Sequence, residues 1–153
     1  MQYLAEFKSL NSANHIITSE ATKEYNCIAY AADRLNQIWW PIYYPTAPYS
    51  WPLGQQDDED LDTFIAGFEA IGYEVCESAD FEEGYVKVAI YIDLVLGMPS
   101  HMARQLDDHS AWTSKLGDLE DISHYSLNAL EGGKGFGYGK ATTFMRRSII
   151  DSR

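Results

Sequence analysis

Two segments of the chain have apolar residues at helical spacing. In residues 27–35 (CIAYAADRL) the apolar positions recur at i, i+3, i+4 and i+7, which predicts a helix with one buried face. Asn26 precedes this segment and is suited to cap it. A second stripe runs through residues 61–71 behind the acidic residues 57–60, where carboxylates favour the positive end of a helix. Both segments are therefore predicted helices.

From residue 73 onward the apolar spacing changes towards two, which is typical of β-strands. The segments 101–106 (HMARQL) and 111–116 (AWTSKL) are predicted to form a hairpin joined through residues 107–110. The predicted later elements are strands at 73–76, 85–92, 101–106, 111–116 and 142–149 and a helix at about 123–130.

Helices followed by antiparallel strands indicate the α+β class. We expect an N-terminal helix packed on an antiparallel β-sheet. The chain has 153 residues and no break in composition long enough for an interdomain linker. The sequence therefore predicts one domain that spans residues 1–153.

Residues 39–52 (WWPIYYPTAPYSWP) form a segment rich in proline and aromatic residues between the two predicted helices. It holds four of the five prolines and three of the four tryptophans. Prolines at this density forbid a helix or a central strand. Two interpretations stay open: a rigid cover over the core, or a substrate-binding wall in which Trp39 and Trp40 stack on a ligand.

The charge of the chain limits its partners. Eleven Lys and Arg stand against 23 Asp and Glu, which gives a formal net charge of −12. Such acidity argues against binding to nucleic acid and to anionic membranes.

The first twenty residues lack the pattern of a signal peptide, so a cytoplasmic location is predicted, with both cysteines as thiols. No cofactor is predicted, and no His/Cys spacing indicates a metal site.

Cys27 is the first candidate for chemistry, because it begins the predicted helix at 27–35. Backbone N–H groups and the helix dipole at such a position favour a thiolate and lower the pKa of a cysteine, which makes it a nucleophile. The alternative is that Cys27 is a small core residue, a common fate of free cysteines.

A nucleophilic thiol needs a base, and His101 is the best-placed histidine, at the point where a turn enters a strand. Alternation along the next strand places Trp112 and Ser114 on one face, so Ser114 is predicted to orient the imidazole while Trp112 shields it from water. Asp118 is an alternative orienting group.

The order of these segments resembles the papain-like fold: YNCIAYAA on a helix, a WWP loop, then PSHMARQL and WTSKLG on successive strands. The resemblance covers about residues 25–117. It implies that Cys27 is the nucleophile and His101 the base, and that Ser114 or Lys115 lies near the third position. Residues 20–22 stand where such enzymes carry an oxyanion-hole glutamine, a role that Asn26 or the backbone would have to take.

Together these features predict a cysteine hydrolase with peptidase or amidase chemistry, acting on a peptide, protein or small amide, with a basic or neutral substrate favoured. Two alternatives stay open. One is a non-catalytic acidic binding or immunity-type protein, and the other is an effector that deamidates protein side chains through the same Cys and His chemistry. A Cys27 far from His101 would favour the binding protein.

Overall fold

A seven-stranded antiparallel sheet dominates the protein. The computed structural model describes residues 7–42, 49–106, 111–117, 119–132 and 137–149. Its strands are β1 (His15–Ser19), β4 (Glu74–Cys76), β5 (Tyr85–Ile92), β6 (Pro99–Gln105), β7 (Trp112–Lys115), β8 (Asp121–His124) and β9 (Lys140–Ser148). They lie in the order β1-β8-β7-β6-β5-β9-β4, and every neighbouring pair is antiparallel.

Two short α-helices and a 3-10 turn accompany the sheet within the described residues. The helices are α1 (Cys27–Ala31) and α2 (Leu61–Glu69), and the turn spans Leu127–Leu130. Asp60 caps α2 by accepting a hydrogen bond from the Thr63 N–H, as its acidic start predicted. No helix in these ranges has the length and apolar character needed to cross a membrane.

The predicted α+β class, with a papain-like N-terminal helix packed on a sheet, is wrong. The sheet contains most of the regular structure, whereas the two α-helices have only five and nine residues. The described chain also enters the sheet through β1 before any helix forms. The physical reason is that the sheet buries apolar side chains on both of its faces, so long-range strand pairing outweighs the local helical spacing.

The helix predicted at residues 27–35 ends early. Ala32 is its C-terminal cap, and Asp33 adopts a left-handed conformation with φ of 63°. The Asp33 N–H donates to the Tyr30 carbonyl and the Arg34 N–H donates to the Ala29 carbonyl. This is a Schellman motif, in which glycine usually occupies the left-handed position. Aspartate is one of the few other residues that adopt this conformation, so no glycine marks the end of α1 in the sequence.

One further prediction needs correction, and one strand was not predicted. The helix expected at about 123–130 is instead the end of β8 followed by the 3-10 turn, and β1 was not predicted. Strand β5 matches its predicted bounds, and β6 pairs with β7 as the predicted hairpin, whose connection at 107–110 lies outside the described residues.

A short parallel pair lies at the start and near the end of the proline-rich segment 39–52. Its strands are β2 (Ile38–Trp39), which begins one residue before the segment, and β3 (Tyr49–Ser50).

The sheet is buried on both faces, and each face has its own hydrophobic cluster. The first face packs against α1 and α2 and includes Cys27, Met102 and Met145. The second face includes Ala103 and Trp112, and the 3-10 turn packs on it. Because successive residues of a strand point to opposite faces, adjacent residues of β6 belong to different clusters.

Gly67 on α2 packs closely against the ring of Trp51 on the first face. A Cβ built on Gly67 would lie 2.3 Å from Cζ2 of the Trp51 ring, and Trp51 is itself buried. We therefore expect Gly67→Ala to destabilise the protein by about 1–3 kcal/mol, although alanine normally stabilises a helix interior relative to glycine. Urea unfolding measures this change. The control is Glu69→Ala on the exposed side of the same helix, and equal stability of the two variants would contradict the packing.

Candidate functional site

Cys27 starts α1 and lies in the cluster of the first face. Burial raises the pKa of the Cys27 thiol to about 11, and this effect exceeds the opposing influence of nearby backbone N–H groups, including that of Met102. This shift is opposite to the predicted lowering, because a five-residue helix offers a small dipole whereas burial removes the thiolate from water. At neutral pH the group is a protonated thiol.

His101 lies on the other face of the sheet. Its ring stacks on Tyr138 with centroids 4.0 Å apart, and it contacts Tyr91 edge-on. Cys27 instead lies beside Met102, the next residue of β6, on the opposite face. The backbone of β6 therefore separates the thiol from the imidazole. The structure does not bring together the predicted nucleophile and base.

Ser114 does reach His101, and the two belong to a buried row of hydrogen bonds. Ser114 Oγ lies 2.9 Å from His101 Nε2 and 2.8 Å from His124 Nε2. His124 Nδ1 lies 2.9 Å from the Ser126 carbonyl oxygen and must donate to it, which leaves Nε2 as an acceptor for the Ser114 hydroxyl. His101 Nε2–H then donates to Ser114.

This row fixes the protonation of both imidazoles. Burial lowers the pKa of His124 to about 4 and holds the pKa of His101 well below its ordinary value, with a further contribution from His124. The remaining nitrogen, His101 Nδ1, is buried and has no hydrogen-bond partner among the described residues. Ser114 thus orients two neutral histidines that support the second face, and neither faces Cys27.

The predicted substrate-binding residues serve different purposes. Trp39 is buried in the first core, and Trp112 is buried in the second. The Asn26 side chain caps α1 and also exchanges two hydrogen bonds with the Trp39 backbone, so it anchors β2. Trp40 lines a cavity of about 460 Å³, where its Nε1–H donates to Glu59.

The alternatives for the third catalytic position also fall elsewhere. Lys115 is buried on the first face, where its ammonium donates to the Leu119 carbonyl and lies 5.3 Å from the centroid of the Tyr25 ring. Asp118 lies outside the described residues. Among the described residues, no group of three or more His, Cys, Asp or Glu is placed to hold a metal ion.

A cavity with a mixed polar and apolar lining lies on the first face, beside α1, and has a volume of about 520 Å³. Tyr25 donates a hydrogen bond of 2.5 Å to Asp121 Oδ2, and Tyr30 lies 2.7 Å from Thr113 Oγ1. Arg104 at its rim pairs with Asp33 at 3.4 Å. We call this space the Asp121 pocket.

The comparisons with known proteins give one match. The model of a family described as a domain of unknown function, DUF7689, matches residues 16–146. The chain belongs to this family. No curated protein and no solved structure matches it. The range that matches DUF7689 includes every residue that lines the Asp121 pocket.

Sequence reasoning did not single out the Asp121 pocket. Tyr25 and Tyr30 flank Cys27 in the segment YNCIAY, and Asp121 stands in an acidic stretch. Their joint position depends on β8 pairing with β7 and β1, and β8 was predicted as part of a helix. A period-two pattern over Asp121–His124 is the signal that could have found it.

We expect Cys27 to be unreactive. At pH 7.5, iodoacetamide should alkylate Cys27 at least about ten times more slowly than Cys76, because burial keeps the Cys27 thiol protonated while Cys76 is partly exposed. Mass spectrometry of peptides from a time course measures both rates. Cys76→Ser serves as the control that isolates Cys27. Alkylation of Cys27 as fast as Cys76 would contradict this description of the site.

The buried histidines make folding depend on pH. A histidine whose pKa is lowered in the folded state binds more protons when unfolded, so stability falls as pH drops below about 6.5. We expect a loss of roughly 1 kcal/mol for His124 between pH 6 and 5. Urea unfolding at each pH measures it. The His124→Asn variant should show a shallower slope, and equal slopes would contradict the neutral His124.

Proposed function

We propose that the protein is a non-catalytic binding protein that uses an acidic face to engage a positively charged partner. The observation that carries this proposal is a pair of adjoining cavities at the β1 edge of the sheet, with acidic linings. The Asp121 pocket and a second cavity of about 530 Å³ share Thr18 and Ser19. We call the residues that line the two cavities the acidic face.

The charges of the acidic face favour a basic partner. Its acidic members are Glu20, Asp33, Glu120 and Asp121, and Arg104 is its one basic member among the described residues. The net charge of −12 acts in the same direction over longer distances and would steer a cation towards the protein.

Apolar side chains also lie on this face. Ile17 is 43% exposed and Leu35 is 51% exposed, and both line the cavities. A partner that covers these side chains would remove apolar area from water in addition to meeting the charges of the acidic face. The partner best suited to this face is therefore a basic protein or peptide.

The geometry does not favour the cysteine hydrolase or the deamidase. Both need the thiol of Cys27 within reach of a base, and His101 lies across the sheet from it. A protonated and buried Cys27 is instead suited to packing. The binding protein needs neither group to react.

Binding of a labelled nonapeptide of arginine tests the proposal. We expect saturable one-to-one binding that weakens with salt, and about fivefold weaker binding by the double variant Glu20→Gln/Glu120→Gln. The matched control, Asp57→Asn/Asp58→Asn, removes two exposed charges before α2 and should change the affinity less than about twofold. Fluorescence anisotropy measures these affinities.

The control separates a defined site from general attraction. Equal weakening by both double variants would mean that net charge alone binds the peptide, and the proposal would be wrong. Absence of saturable binding would also overturn it. Cys27→Ser should bind like the unaltered protein, because the thiol takes no part in binding.

A further inference from the structure

The Asp121 pocket exists because α1 is too short to cover the first face. Five helical residues span roughly 7.5 Å, and α1 contacts β6 and β7. Beyond it, the polar side chains of β8 and β1 remain open to the cavity, where Ser19 pairs with Asp121. The left-handed Asp33 that ends α1 turns the chain along the rim of the pocket.

Three hydroxyl groups that line the pocket, those of Tyr25, Tyr30 and Thr113, use their hydrogens within the protein. Tyr25 donates to Asp121 Oδ2. The Thr113 hydroxyl donates to the Ile122 carbonyl, so Tyr30 must be the donor in its contact with Thr113. Burial raises the pKa of both tyrosines, which therefore keep their protons. Towards the cavity, the oxygen atoms of these groups therefore act as hydrogen-bond acceptors.

Asp121 is the exceptional group in this pocket. Asp121 is only 2% exposed, yet its Oδ1 atom has no hydrogen-bond partner among the described residues. A buried carboxylate oxygen without a donor is costly, and a ligand that supplies an N–H would remove that cost.

The basic groups nearby are directed elsewhere. Arg104 pairs with the Asp33 carboxylate, and the Lys115 ammonium donates to the Leu119 carbonyl. The pocket thus combines a buried acceptor on Asp121, a second carboxylate on Asp33 and the aromatic rings of Tyr25 and Tyr30, which suits a cation.

We infer that the Asp121 pocket binds a guanidinium or ammonium group, with Asp121 Oδ1 as the acceptor and the ring of Tyr30 beside it. This inference rests on the proposed function and names the chemical group that the acidic face recognises. The group can belong to an arginine or lysine side chain of a protein or to a free small molecule. A volume of about 520 Å³ holds the end of one such side chain.

NMR titration of the ¹⁵N-labelled protein with argininamide tests this inference. We expect saturable shifts of the amide signals of Tyr25, Tyr30 and Thr113. Citrullinamide keeps the same α-amino group but carries a neutral urea in place of the guanidinium, so it should bind about tenfold more weakly because its side chain lacks the positive charge. Asp121→Asn should reduce argininamide binding by about tenfold or more for the same reason.

A second pair of variants keeps the test decisive if Asp121→Asn fails to fold. Ser19→Lys, at an exposed position beside Asp121, would place its own ammonium in the pocket and abolish argininamide binding. Ile16→Lys adds the same charge at a 55% exposed position of β1 outside the pocket, and it should bind argininamide within about twofold of the unaltered protein.

The outcomes separate the two proposals. If argininamide gives no saturable shifts, or if Ser19→Lys and Ile16→Lys respond alike, the pocket does not bind a cation and the inference is wrong. Binding of the arginine nonapeptide through Glu20 and Glu120 would then still support the proposed function. If neither ligand binds, both proposals are wrong.

The same titration identifies the source of the cation. A capped pentapeptide with arginine at its centre and glycine elsewhere should bind at least as tightly as argininamide if the natural ligand is a protein side chain. Binding of argininamide alone would assign the pocket to a small molecule. Both results support recognition of the cationic group.

Discussion

Strand β6 passes through the middle of the sheet with buried side chains on both of its faces. Because the side chains of a strand alternate, His101 and Met102 must enter different cores. Everything that packs against Met102, including Cys27, is therefore separated from the imidazole by one layer of backbone. This constraint separates the two predicted site residues, because Cys27 and His101 support two different cores.

The second face holds a row of buried polar groups that hydrogen-bond to one another. His101, Ser114 and His124 lie on three adjacent strands, and a single serine hydroxyl links the two imidazoles. Such an arrangement has one consistent set of donors and acceptors, which requires both rings to be neutral. Each face also holds a buried polar atom without a hydrogen-bond partner among the described residues, His101 Nδ1 on the second face and Asp121 Oδ1 on the first. Of these two residues, Asp121 is the one that lines the Asp121 pocket.

Local patterns predicted the parts of the fold that depend on nearby residues. Helix α2 has an apolar stripe and the Asp60 cap, and β5 alternates over its full length, so both were found within a residue or two. Ser114 was also placed correctly beside His101, since register within a hairpin follows from alternation. Strands β1 and β8 were missed because they are short, and their pairing joins residues about a hundred positions apart.

The acidity of the chain, its main apolar periodicities and the cap of α2 follow from the amino-acid sequence, because they depend on residue type and on neighbours within a turn or two. The face that each strand residue occupies became clear from the three-dimensional packing. That choice follows from the packing of both faces of the sheet. It separated Cys27 from His101, and it brought Tyr25 and Asp121, 96 positions apart, into one hydrogen bond.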